Sequence, residues 1–191
     1  MRSLPKFVMA LAVAAVAGAC VISVEAVVPE ASSNFDPRLI GTWQGDGSDS
    51  TDRARVSRGR GNLYEIEYSD KGNTGKFEAR LGRLGTRWVL DVWPMPADSD
   101  VAEPYRGLMI PGHTLLAIDV GATTITTAML DPDSLRNAIK RGRSRLDTLR
   151  YGRQMVLTSS TNGLRAALGT YLARAGVLEK PGIWKRVRNS R

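Results

Sequence analysis

Cysteine and histidine are almost missing from this chain: Cys20 and His113 are the single copies of each among 191 residues. One cysteine excludes an intrachain disulfide and a thiolate zinc site, and one imidazole excludes a multi-histidine metal centre. Apolar runs are short. The longest, residues 7–22, holds 16 residues, fewer than the roughly 20 that a membrane-spanning helix needs. Acidic residues are scarce toward the C-terminus, where residues 134–191 carry 2 acidic and 14 basic side chains. Residues 20–133 show the reverse, with 17 acidic and 11 basic. No P-loop or glycine-rich dinucleotide motif is present. Gly142-Arg143-Ser144-Arg145-Leu146 lacks the closing glycine of a nucleophile elbow. His113 has no partner identifiable from spacing, as a general base requires. Asp46, Asp49 and Asp52 do not follow the alternation of a calcium loop and suit a turn equally well. From these absences we expect no enzyme, no cofactor and no metal site.

What is present suits one globular domain: 42% hydrophobic and 24% charged residues. Arg2 and Lys6 precede the apolar run, and Ala17-Gly18-Ala19 closes it. A basic start, a short apolar core and small residues before a cleavage point make a secretory signal peptide over residues 1–19. The only cysteine follows directly. In this respect the chain resembles bacterial envelope lipoproteins, in which a cysteine at this place becomes the acylated first residue of the mature protein. The resemblance implies lipidation of Cys20, and Val21 after it resembles lipoproteins directed to the outer membrane, on its periplasmic side. The same Ala17-Gly18-Ala19 also satisfies ordinary cleavage before an unmodified Cys20. Residues 20–35, with Pro29, Glu30, Ser32 and Ser33, show no sustained period and read as the lipidated cysteine and a tether. The domain proper is then 36–191.

The densest positive charge lies at residues 136–153, with Arg141, Arg143 and Arg145 at its centre. Basic clusters attract phosphate-rich partners. A solvated face that folds back onto the acidic N-terminal portion is the first expectation. As a functional reading, export argues against nucleic acid, and an anionic membrane surface is the partner expected.

From residue 41 onward the pattern is strand-like. Residues 63–69 alternate, with Tyr64, Ile66 and Tyr68 on one face and Glu65 and Glu67 on the other, a half-buried strand. Residues 41–46, 53–57, 76–81, 86–93, 114–120, 123–130 and 154–158 are further candidates, separated by turn residues such as Asp70-Lys71-Gly72-Asn73. A turn is expected at 82–85 and a long loop at 94–112. In 86–93, Trp88, Leu90 and Val92 share a face. Asp131 as cap with Pro132 behind it starts one helix, and Ser160 or Thr161 starts a second. Residues 183–187 read as a last strand. The fold class expected is mainly β, an antiparallel up-and-down barrel of about eight strands with two helices in the C-terminal half.

Asp36-Pro37-Arg38-Leu39-Ile40-Gly41-Thr42-Trp43 is similar to the opening of lipocalin-like (calycin-type) proteins, where a short turn leads into a Gly-x-Trp on the first strand. That family packs a late basic residue over this Trp. The resemblance implies a barrel closed by Trp43 and Arg186, with Lys185 in reserve. It also implies a non-enzymatic binding module whose interior accepts a small apolar ligand. Tyr64, Ile66, Tyr68, Trp88, Leu90 and Val92 are the cavity candidates. A filled barrel that displays only its basic face is the competing expectation. Interior volume discriminates, since ligand pockets begin at about 300 Å³. The oligomeric state is not legible.

Overall fold

The computed structural model describes residues 21–47, 51–95, 112–152 and 154–187. The signal-peptide residues 1–19, Cys20 and most of the 94–112 loop lie outside them.

Eight strands close into an antiparallel barrel. They are β2 (Gly41–Gly45), β3 (Arg53–Arg58), β4 (Leu63–Asp70), β5 (Asn73–Leu84), β6 (Arg87–Pro94), β7 (Thr114–Val120), β8 (Thr124–Met129) and β11 (Gly182–Arg186). The first seven follow one another around the wall, and β11 bridges β8 and β2 with Trp184 opposite both Ile125 and Gly45. Every barrel edge is paired, which removes the open strands that invite aggregation.

Between β8 and β11 the chain builds α1 (Pro132–Lys140), β9 (Thr148–Tyr151), β10 (Gln154–Leu157) and α2 (Thr161–Tyr171). Asp131 caps α1 by accepting from the Ser134 N–H at 2.6 Å, and Ser160 caps α2 by accepting from Gly163. The 154–158 segment is a strand, as its pattern predicts, but it stands outside the barrel in a sheet ordered β1-β10-β9, with β1 at Val21–Ser23. Neither β1 nor β9 is legible in the sequence: β1 begins inside the apolar run, and β9 is exposed at all four positions, so no buried face marks its period.

Two apolar cores result. One fills part of the barrel around Trp43, Tyr64, Leu81, Leu90 and Ile118. The other lies outside the wall, where Leu84, Val89 and Leu115 point away from the barrel and meet Leu135 of α1, Leu164 and Leu168 of α2, and Met155 and Leu157 of β10. Strand alternation allows this: β6 sends Leu90 inward and Val89 outward.

The tether reading of 20–35 is corrected by the second core. From Val21 the chain is already part of the fold. Val21 pairs with Met155, and Val27 and Val28 are 1% and 0% exposed. Their backbone N–H groups donate to the buried carboxylate of Asp91 at 2.7 and 2.9 Å. Gly82, inside β5, makes room for them, since a Cβ there would come within 2.6 Å of Val28. The expected turn at 82–85 therefore begins only at Gly85, which has φ 59°.

Candidate functional site: an apolar cavity inside the barrel

One end of the barrel is sealed. Pro37–Leu39 forms a 3-10 turn whose Asp36 side chain accepts from Arg38 N–H, and Leu39 is 3% exposed. The Trp43 indole donates to the Leu39 carbonyl at 2.9 Å. Arg186, opposite Trp43 in register, holds its guanidinium 4.2 Å from the indole centroid. It also donates to the carbonyls of Ile40, at 2.7 Å, and Arg38. The structure thus brings Trp43 and Arg186 together as a cation–π pair that ties β2 to β11. Gly41, with φ 141°, is required here, because a Cβ would overlap the Arg186 guanidinium. Lys185 points elsewhere and pairs with Asp46 at 2.7 Å.

Above this seal lies a cavity of about 250 Å³. Tyr64, Ile66, Tyr68, Leu90 and Val92 line it, joined by Ala54 and Val56 from β3, Phe77 from β5, Leu116 and Ile118 from β7, and Trp184 from β11. Trp88 does not. It shares the parity of Leu90 but sits at the end of the wall, 38% exposed, beneath the Arg83 guanidinium at 5.2 Å. Parity along a strand shows the face, not where the strand passes the barrel rim. Trp184 was missed as a lining residue because its strand has only five residues and its partner strands are remote in sequence.

The polar tips of the lining side chains are already engaged. Tyr64 hydroxyl accepts from the Asp36 N–H at 2.5 Å. Tyr68 hydroxyl donates to Asp52 at 2.8 Å, and Trp184 indole N–H donates to Thr127 at 3.0 Å. Burial and the Asp52 carboxylate push the Tyr68 phenol up to about 12, so it stays neutral at physiological pH. With these groups occupied, the wall offers a ligand apolar surface and shape. A polar ligand would lose its own hydrogen bonds on entry. At the end away from Trp43, Trp184 borders both this cavity and a polar cleft edged by Asp52, Asp70 and Lys71, and its ring meets Tyr68 edge-on at 6.4 Å.

His113 lies outside the barrel. Its Nδ1 is 2.9 Å from Asp91 Oδ1, and its backbone exchanges both hydrogen bonds with Ser23. The Asp91 partner, absent from any sequence spacing, ties the imidazole to the N-terminal segment. The Ser23 hydroxyl donates to the Glu25 carbonyl at 2.9 Å. Arg141, Arg143 and Arg145 are all exposed. The first two border a pocket between the helices and the third does not. Among the described residues no helix is long and apolar enough to cross a membrane. Comparison with protein-family models, with curated proteins and with solved structures finds no match for this chain.

Proposed function

We propose that this protein is an exported, lipid-anchored, non-enzymatic binding module of the cell envelope that holds a small apolar ligand inside its barrel. The observation that carries the reading is the apolar cavity of about 250 Å³. It falls just below the 300 Å³ at which drug-sized pockets begin. It is well above the roughly 150 Å³ of a dry cavity able to hold benzene. Scaling from that case sets the enclosed part of the ligand at about ten non-hydrogen atoms. The filled-barrel alternative is less well supported, because the interior is not filled.

The anchor fits the entry of the chain into the fold. Val21 stands beside Met155 in a parallel pairing, one residue past Cys20 and next to the turn that joins β9 to β10. Leu149 and Tyr151 share one face of β9 and are 50% and 72% exposed, with Arg150 between them. An acyl chain on Cys20 would leave the fold beside this hairpin. There Leu149 and Tyr151 would meet the lipid interface.

Native mass spectrometry of the full chain, purified from its own cells, tests the binding reading. A co-purifying apolar molecule that is lost when Ala54→Phe fills the cavity is the expected result. A ligand-free barrel that gains no mass when incubated with a lipid extract of those cells would overturn it.

A further inference from the structure

Outside the barrel, a second pocket of about 240 Å³ lies between the C-terminal ends of α1 and α2. Helix α1 ends in a Schellman turn through Gly142. Gly142 N–H donates to Ile139 at 2.9 Å and Arg143 N–H donates to Ala138 at 2.8 Å. The turn satisfies the last carbonyls of the helix and sets Arg141 and Arg143 at the pocket. Arg174, just past the end of α2, completes the set and donates to the Arg143 carbonyl at 3.1 Å.

Three arginines therefore border one pocket. Among the described residues none of them forms an ion pair with a carboxylate; the pairs present involve other residues. Helix C-termini attract cations through their dipoles, which accounts for arginines near these ends but not for three that share a space and repel one another. The second observation is the Tyr171 hydroxyl. Tyr171 is 2% exposed, lines the pocket, and its oxygen has no hydrogen-bond partner. Burial, and then the nearby Asp131 carboxylate, push this phenol up to about 12, against the opposing pull of Arg174 and Arg143. It is thus a neutral O–H donor without an acceptor. Asp131 is the negative group nearby, and it is committed to the α1 cap. The Ser134 hydroxyl is also committed, to Gly176.

We propose that this pocket binds a phosphate group, free or carried on a lipid headgroup, through Arg141, Arg143, Arg174 and the Tyr171 hydroxyl. Guanidinium forks match the oxygens of phosphate, and the phenol supplies a short donor from the apolar side. The site is separate from the barrel cavity and stands whether or not that cavity holds a ligand.

The test uses the full chain in non-ionic micelles, titrated with inorganic phosphate by calorimetry against chloride of matched ionic strength. Saturable binding of phosphate and none of chloride is expected. Arg141→Ala combined with Arg143→Ala, both on exposed side chains, should weaken binding by tenfold or more. Tyr171→Phe should weaken it about tenfold or more, the loss of one hydrogen bond to a charged partner. In phosphate-free buffer Tyr171→Phe should leave Tm unchanged or raise it, because it removes an unpaired buried hydroxyl. Arg145→Ala, outside the pocket, should change nothing. A second arm adds short-chain phosphatidic acid to the micelles, with phosphatidylcholine of equal chain length as reference. Binding tighter than that of inorganic phosphate, and lost with the same substitutions, supports a lipid headgroup; equal or weaker binding supports a free phosphate. Equal responses to phosphate and chloride, or an affinity untouched by Tyr171→Phe, would overturn the proposal.

Discussion

At the scale of single residues, the seal at Trp43 can be tested by substitution. Trp43 is 1% exposed, and Trp43→Ala should cost about 3–5 kcal/mol through the void it leaves. Arg186→Ala should cost about 2 kcal/mol, since it removes charge-assisted bonds to two carbonyls as well as the stacking. A double-mutant cycle in urea should show coupling on the order of 1 kcal/mol, and additive losses would deny the contact. Tyr68 and Tyr171 give a second test. Both are raised to about 12 from an ordinary value of 10.0. The folded state therefore prefers the protonated phenol. That contribution is complete below pH 10 and is lost as pH rises toward 12. The urea midpoint should fall over this window, with the phenolate absorbance of these two residues appearing only as the chain unfolds. Early titration of all tyrosines near pH 10 in the folded state would contradict it. Tyr64, Ile66 and Tyr68 were legible because a clean period of two marks one face. Trp88 obeyed the same period and still lies outside the cavity, since the barrel rim is set by neighbouring strands and leaves no trace in local pattern.

At the scale of elements, capping and turn chemistry made both helices and most barrel strands readable. Asp131-Pro132 and Ser160 act through groups three residues away, and such local signals survive in sequence. The N-terminal segment was not readable, because its partners are remote. Asp91 stands more than 60 residues from the two amides it accepts, and Gly82 looks like a turn residue until Val28 is seen against it. The same contacts predict a large effect at one carboxylate. Asp91→Ala strands two buried N–H groups and removes the partner of His113, and should cost on the order of 3 kcal/mol. Hydrogen exchange at Val27 and Val28 should accelerate before that of the barrel strands. Exchange that is uniform, or unchanged at these two amides, would show that Asp91 does not hold the segment.

At the scale of the whole molecule, the described residues form a closed barrel with a helical annex on its outer wall, and strand pairing begins at Val21, the residue after the proposed acylation site. Cys20→Ser should abolish acylation and release the protein from the membrane fraction to the soluble envelope fraction. Unchanged partition, with no lipid-sized mass on the wild type, would contradict the anchor. The released chain should keep a weaker attraction to anionic vesicles through its basic face, up to about 1 kcal/mol per nearby arginine. That attraction should fade as salt approaches about 0.15 M and fall further with Leu149→Ala and Tyr151→Ala. The charge asymmetry behind this expectation is plain in the sequence. Which arginines share a pocket is not, since Arg174 joins Arg141 and Arg143 only through the packing of α1 against α2.

Calorimetric titration with a series of alkylbenzenes tests whether the barrel cavity takes the apolar ligand proposed for it. Saturable one-to-one binding is expected, with an affinity that rises about fourfold with each added methylene, from roughly 0.8 kcal/mol of apolar burial. The rise should stop near the length at which about 250 Å³ is filled. Ala54→Phe should abolish the binding while leaving the melting temperature equal or higher, because the ring occupies space that was empty. Absence of saturable heat for every member of the series, or binding indifferent to Ala54→Phe, would rule out the cavity as a ligand site and leave the barrel as a scaffold.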